Sequence, residues 1–180
     1  MTESEQGRLP VLIVVTGRPG AGKSTLAHAL GQAVRCPVIS RDTIKEGLVR
    51  TAEQTGAPAD DADLTRRASD AFFDALALLL AGGVTVVAEA AFQHRVWAAR
   101  LKPLQTVARV RIVLCELDAE RARDRRVVRS RSDPGRERFH AEAKTPTEYD
   151  PPRLAVPTLQ VDTTGKYDPA FDAIVEFARG

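Results

Sequence analysis

The chain has 180 residues, 43% of them hydrophobic and 28% charged, with 26 Lys and Arg against 24 Asp and Glu for a net charge of +2. That length and apolar fraction suit one compact domain, and the near balance of charge excludes a surface coated with cations for nucleic acid, leaving room only for a local basic patch. The opening MTESEQGRLP has no apolar core after a positive start, and no run reaches roughly eighteen apolar residues, so neither a secretory leader nor a membrane span is expected and a cytoplasmic location is. Cys36 and Cys115 lie far apart in apolar, strand-like surroundings and read as buried free thiols rather than a disulfide or metal site.

A continuous apolar, β-branched stretch from Val11 to Thr16, ending on glycines, predicts a strand buried on both faces. A helix follows from Lys23, with Leu26, Leu30 and Val34 on its buried side and Pro37 marking its end. PVIS predicts a short second strand, and RDTIKEGLVR begins another helix. TAEQTGAPADDAD, polar and holding Gly and Pro, predicts a loop or small insertion before the long helix of LTRRASDAFFDALALLLAGG. VTVVAEA reads as the third strand, RVWAARLKPL as a helix, RVRIVLCEL as the fourth strand and DAERARDRRVVRSR as a very basic helix. After a polar, Pro-rich stretch, TLQVD gives the fifth strand and PAFDAIVEFARG the closing helix. Strands alternating with helices predict an α/β fold: a parallel sheet covered on both faces, with ligand-binding residues just after the strands. Residues 1–9 read as a disordered tail and 10–180 as a single domain.

GRPGAGKS satisfies the Walker A pattern, with Gly17, Gly22, Lys23 and Ser24 in register between a predicted strand and a predicted helix. Its glycines let successive backbone N–H groups converge on a phosphate, and the helix starting there adds the positive end of its dipole. The run Gly17, Arg18, Pro19, Gly20, Ala21, Gly22, Lys23, Ser24 and Thr25 is therefore the expected phosphate cradle. Lys23 would bridge the outer phosphates and Ser24 would coordinate Mg²⁺. ATP is the expected nucleotide, with GTP open as the alternative.

The acceptor of the terminal phosphate must be read from residues downstream. A signalling GTPase would carry Asp-x-x-Gly after the third strand, which here ends VVAEAAF; DTTG and GKYD overlap near the end of the chain, with Gly165 where a base-reading Asn would stand. A motor or transporter ATPase would need more sheet or a second domain. A kinase acting on a hydroxyl needs a carboxylate near the γ-phosphate and cations to steady the moving phosphoryl group. Asp42 follows the second strand at once and is the candidate general base, or else the cap of the next helix, for which Ser40 and Asp42 are both suited. Glu89 ends the third strand and is either an acid holding Mg²⁺ through water or a solvent-facing strand end. Between Arg121 and Arg138 stand eight arginines against three acids; Arg121, Arg125 and Arg129 share a helix face, and Arg126 and Arg129 are neighbours. One or two of these would hold phosphate oxygens and the rest would be solvated surface. The polar segment after them has the character of a lid that excludes water, placing the lid region at about 121–150. His28 reads as packing or surface, His94 and His140 are isolated, with His140 a weak substrate-contact candidate, and Trp97 is an apolar contact. The acidic DDAD near Asp60 is either a solvated loop or a patch for a cationic substrate.

GRPGAGKST, ISRDTIKEGL, the strand ending at Glu89, the Arg-rich helix after the fourth strand and VPTLQVDTTG together resemble the small P-loop kinases that include chloramphenicol phosphotransferase, gluconate kinase, the zeta toxins and the kinase half of polynucleotide kinase. The likeness spans most of the chain, and only the first motif is specific by itself. It implies a P-loop NTPase three-layer sandwich with a sheet ordered 2-3-1-4-5 and an Arg-rich lid, Asp42 as base, Ser24 with Mg²⁺, and Arg125 and Arg129 as lid arginines. It also implies that Thr163 and Thr164 lie close to the nucleotide base. Residues 51–63 and 132–152 match none of these relatives in a way that identifies a substrate. The leading expectation is an ATP-dependent phosphotransferase for a small hydroxyl compound such as an antibiotic, nucleoside or sugar, with antibiotic self-resistance as one role, working as a monomer or homodimer. The alternatives are a polynucleotide 5′-hydroxyl kinase and a nucleotide-dependent switch without transferase activity. The Arg-rich run lacks an aromatic until Phe139, which weighs against a single-strand grip.

Overall fold

The computed structural model describes residues 9–56, 60–118, 120–121 and 149–180. The expected tail lies outside these residues except for Leu9, as does nearly all of the expected lid. The first apolar run forms β1 (Val11–Gly17), buried along its whole length. It leads through the glycine loop into α1 (Lys23–Val34), then β2 (Val38–Ser40), α2 (Arg41–Thr55) and α3 (Asp61–Ala81). Next come β3 (Val86–Glu89), α4 (His94–Leu101) with a 3-10 turn over Lys102–Thr106, and β4 (Arg109–Glu116). β5 (Thr158–Asp162) and α5 (Phe171–Arg179) close the chain.

Among the described residues the five strands make one parallel sheet in the order β2-β3-β1-β4-β5. Alternation along β1 divides the core in two, because successive side chains leave a strand on opposite faces. Ile13 and Val15 pack with Leu26, Leu30, Ile174 and Ala178 of α1 and α5. Leu12 and Val14 pack with Phe72, Leu76, Trp97 and Leu101 of α3 and α4. The buried positions Leu64, Ala68, Phe72, Leu76 and Leu80 recur every four residues, which makes a 21-residue helix amphipathic enough to cover one face of the sheet. This is the P-loop NTPase three-layer arrangement, and it brings the carboxyl ends of β2, β3, β1 and β4 to one edge.

The expected loop over 51–63 is shorter than its polarity suggested. α2 continues to Thr55, where Gly56 at φ 64° ends it, and Asp60 accepts from the Asp63 N–H at 3.2 Å to start α3. Ala52, Glu53 and Gln54 are good helix formers and Ala52 is buried, so the helix continues with its remaining residues in solvent until Gly56. Both cysteines are free; Cys115 is buried, but Cys36 is only half-buried, because it stands in the turn before β2.

Candidate active site

The phosphate loop is fixed by close backbone approach. Gly17 pairs with Cys115 across the β1–β4 ladder, and a Cβ there would sit 2.3 Å from the Cys115 carbonyl oxygen, so no other residue fits. Gly22, at φ 73°, caps α1 in the left-handed conformation that glycine takes at no steric cost. The Thr163 hydroxyl lies 3.0 Å from the carbonyl oxygens of both Ala21 and Glu116 and shares its one proton between them, tying the residue after β5 to the loop. Lys23 is the first residue of α1, almost buried, and its ammonium rests on the Arg18 carbonyl at 3.1 Å. The glycine loop, the first turn of α1 and the Lys23 ammonium thus lie together, the arrangement by which a helix N-terminus and its loop receive phosphate oxygens. Thr25 at the helix surface is exposed, and Arg18, Pro19 and Gly20 are half-exposed.

Glu89 is not a solvent-facing strand end: it is 2% exposed. Parallel pairing sets it opposite Ser40, whose hydroxyl donates to Oε2 at 2.6 Å, while the Ser24 hydroxyl donates to Oε1 at 3.3 Å. One carboxylate therefore joins the phosphate loop to the end of β2. Mg²⁺ keeps several waters and binds through one or two protein oxygens plus phosphates, so this hydroxyl and carboxylate fit it. No cluster of three or more His, Cys, Asp or Glu that could hold a metal is found among the described residues.

Ser40 takes the capping role at α2, accepting from the Thr43 N–H at 3.5 Å, and Asp42 is the second residue of the helix. The Asp42 carboxylate, its side chain 40% exposed, lies 3.5 Å from the Arg41 guanidinium. Arg41, which the sequence reading missed, is held by Ser69 Oγ and the Thr65 carbonyl, both at 3.1 Å, and lies over the Trp97 ring at 5.6 Å from its centroid. Burial pushes its guanidinium pKa down, opposed by the negative charges of Asp42 and Asp61. The acidic DDAD is the first turn of α3, and Asp61 accepts from Lys45 of α2 at 2.6 Å. The patch is neither a loop nor an open cation trap: Asp61 already has its cation. The only signal for Arg41 was its place beside Asp42 directly after a strand.

Arg125 and Arg129, like Arg126 and His140, lie outside the described residues; Arg121 is exposed. The Tyr149 hydroxyl meets Thr16 Oγ1 at 2.9 Å, and Thr16 also accepts the Phe92 N–H at 3.0 Å. Burial pushes the Tyr149 phenol up to about 12. Asp150 receives the Arg95 N–H on its carboxylate at 3.3 Å and the His94 N–H on its carbonyl at 2.8 Å, and also pairs with Arg153. His94 is therefore engaged, its Nδ1 accepting from the Arg153 N–H at 2.9 Å. His28 is exposed and bonds the Ser24 carbonyl at 2.7 Å. Thr164 uses its N–H on Asp162 at 2.6 Å. Trp97 packs with Phe72, Phe73 and Phe92, an apolar contact as expected.

The model of a family described as an AAA domain matches residues 12–146. No curated protein matches the chain. A kinase candidate from Chloroflexus aurantiacus is similar in structure, with TM-score 0.79 and 25% identity over 95% of this chain and 97% of that one. A gluconokinase from Sinorhizobium meliloti superposes with TM-score 0.59 at 23% identity, over 95% and 90% of the two chains. The APS kinase of Mycobacterium tuberculosis, solved with AMPPNP and APS, superposes with TM-score 0.60 at 20% identity, over 96% and 99%. The last two share the fold. No helix among the described residues is long and apolar enough to cross a membrane.

Proposed function

The chain belongs to the AAA domain family, and from that premise we propose that it transfers the γ-phosphoryl group of ATP to a hydroxyl of a small molecule, with Asp42 as general base. Its class is that of a phosphotransferase, as the kinase of similar structure suggests. The observation that carries the reading is the hydrogen-bonded run Ser24–Glu89–Ser40, which leads from the phosphate loop to the helix turn bearing Asp42.

In this account the loop amides and Lys23 hold the outer phosphates, and Asp42 accepts the proton of the acceptor hydroxyl as its oxygen attacks the γ-phosphorus and ADP departs. Mg²⁺, held by Ser24 directly and by Glu89 through water, would neutralise charge on the phosphates. Arg125 and Arg129 are assigned to the phosphoryl group in flight, and the loop of Thr163 and Thr164 to the side of the nucleotide base. GTP remains the alternative donor.

A small acceptor is favoured over a polynucleotide end because, among the described residues, the cations beside Asp42 are already matched: Arg41 with Asp42, Lys45 with Asp61. A nucleic-acid groove relies instead on cations free to neutralise phosphates. Antibiotics, nucleosides and sugars are the acceptor classes to try, an antibiotic pointing to a role in resistance. The test is mass spectrometry of such a panel, with a 5′-hydroxyl oligonucleotide included, after incubation with enzyme, Mg²⁺ and ATP or GTP. A phosphoryl group gained by one small compound supports the reading; one gained by the oligonucleotide alone replaces it with the end-kinase reading, and nucleotide binding without any transfer favours a switch.

A further inference from the structure

Ser40 touches two working parts of the site with one hydroxyl. Its single proton goes to Glu89 Oε2 at 2.6 Å, shorter than the 3.3 Å bond from Ser24 to Oε1, and its lone pair caps α2 at the Thr43 N–H. The position is not adjustable, because Ser40 and Glu89 are register partners in adjacent parallel strands and Glu89 is buried. A carboxylate bracketed by two hydroxyls is held in one orientation, and hydrogen bonds of this outer kind orient the groups around a metal.

We propose that Ser40 is the positioning residue of the divalent-cation site: by holding the outer oxygen of Glu89 it keeps the carboxylate turned toward Ser24 and the metal's water shell. The inference rests on the reading of Ser24 and Glu89 as the Mg²⁺ side of a nucleotide site. Ser40 does not touch nucleotide; it acts through Glu89. Because the same hydroxyl starts α2, the metal side of the site and the turn carrying Asp42 share one fixed point.

Two substitutions separate the bond to Glu89 from the helix cap. Ser40→Gly removes the hydroxyl while keeping a residue that is a fair N-cap, whereas Ser40→Ala removes both. ADP affinity is measured by calorimetry in excess Mg²⁺ and again in EDTA, for wild type, both variants and Ser40→Thr. Wild type should bind ADP more tightly with Mg²⁺. Ser40→Gly and Ser40→Ala should lose about tenfold of that Mg²⁺-dependent gain, in line with the loss on removing an outer-shell partner, with affinity in EDTA within about twofold of wild type. Ser40→Thr should restore the gain. A merely structural role would weaken ADP equally with and without Mg²⁺, and that result, or a gain that survives in Ser40→Gly, overturns the proposal while leaving the phosphate-loop reading intact. Wild-type affinity that ignores Mg²⁺ contradicts the metal reading itself and the proposal with it.

Discussion

The hydroxyls of Tyr149 and Thr16 lie 2.9 Å apart although they are 133 positions apart in the chain, and they join Tyr149 to the end of β1, just before the phosphate loop. Tyr149→Phe removes one hydrogen bond and keeps the ring. A net loss of about 1 kcal/mol is expected, which lowers Tm by about 2–4 °C in a domain of this size, and thermal denaturation reads it. An unchanged Tm would mean that the pair contributes nothing to the stability of the fold.

Alkaline pH should weaken the fold through two groups. Burial pushes the Cys115 thiol from 9.0 up to about 12, and the Tyr149 phenol from 10.0 up to about 12. The folded chain then keeps protons that the unfolded chain releases above about pH 9, so this stability is whole below pH 9 and is lost as pH rises toward 12. Each group steepens the fall by about 1.4 kcal/mol per pH unit within its window. Tm followed from pH 8 to 11 should decline, and Tyr149→Phe should flatten the part above pH 10. A flat profile to pH 11 contradicts the burial of both groups.

Arg41 fastens the start of α2 to α3. Arg41→Lys keeps the charge but loses the planar fork that reaches Ser69 and Thr65 together, and with it the stacking over Trp97. A loss of about 2 kcal/mol is expected, and a shift in emission of Trp97, the one tryptophan of the chain. Denaturant unfolding followed by fluorescence checks both.

Thr163→Val replaces the hydroxyl that steadies the Ala21 carbonyl with a methyl group of similar size. The loop loses a buried bond worth about 1 kcal/mol, so ADP affinity should fall about fivefold, measured by calorimetry. If Thr163 served only to contact the nucleotide base, AMP and ADP would lose affinity equally; loosening of the phosphate loop predicts a larger loss for ADP.

Much of this architecture was legible in the sequence because it follows local rules. The apolar run of β1, the glycines after it and the four-residue spacing from Leu64 to Leu80 each dictate one element. The strand order came from resemblance, and with it the pairing of Ser40 with Glu89 was within reach, since both residues end neighbouring strands. The contacts of Arg41 and Tyr149 were not, because they join residues 28 and 133 positions away, where no periodicity operates. The helical residues Thr51–Thr55 were hidden by polarity, which marks solvent exposure and not the absence of a helix.

The central claim, that Asp42 takes the proton of an acceptor hydroxyl, is tested most directly by Asp42→Asn. Nucleotide affinity and transfer of γ-labelled phosphate from ATP to the acceptor mixture are to be measured side by side with wild type. The account predicts Mg²⁺·ADP binding within about twofold of wild type and transfer slower by about 10²–10⁴-fold. Transfer at the wild-type rate by Asp42→Asn would contradict it.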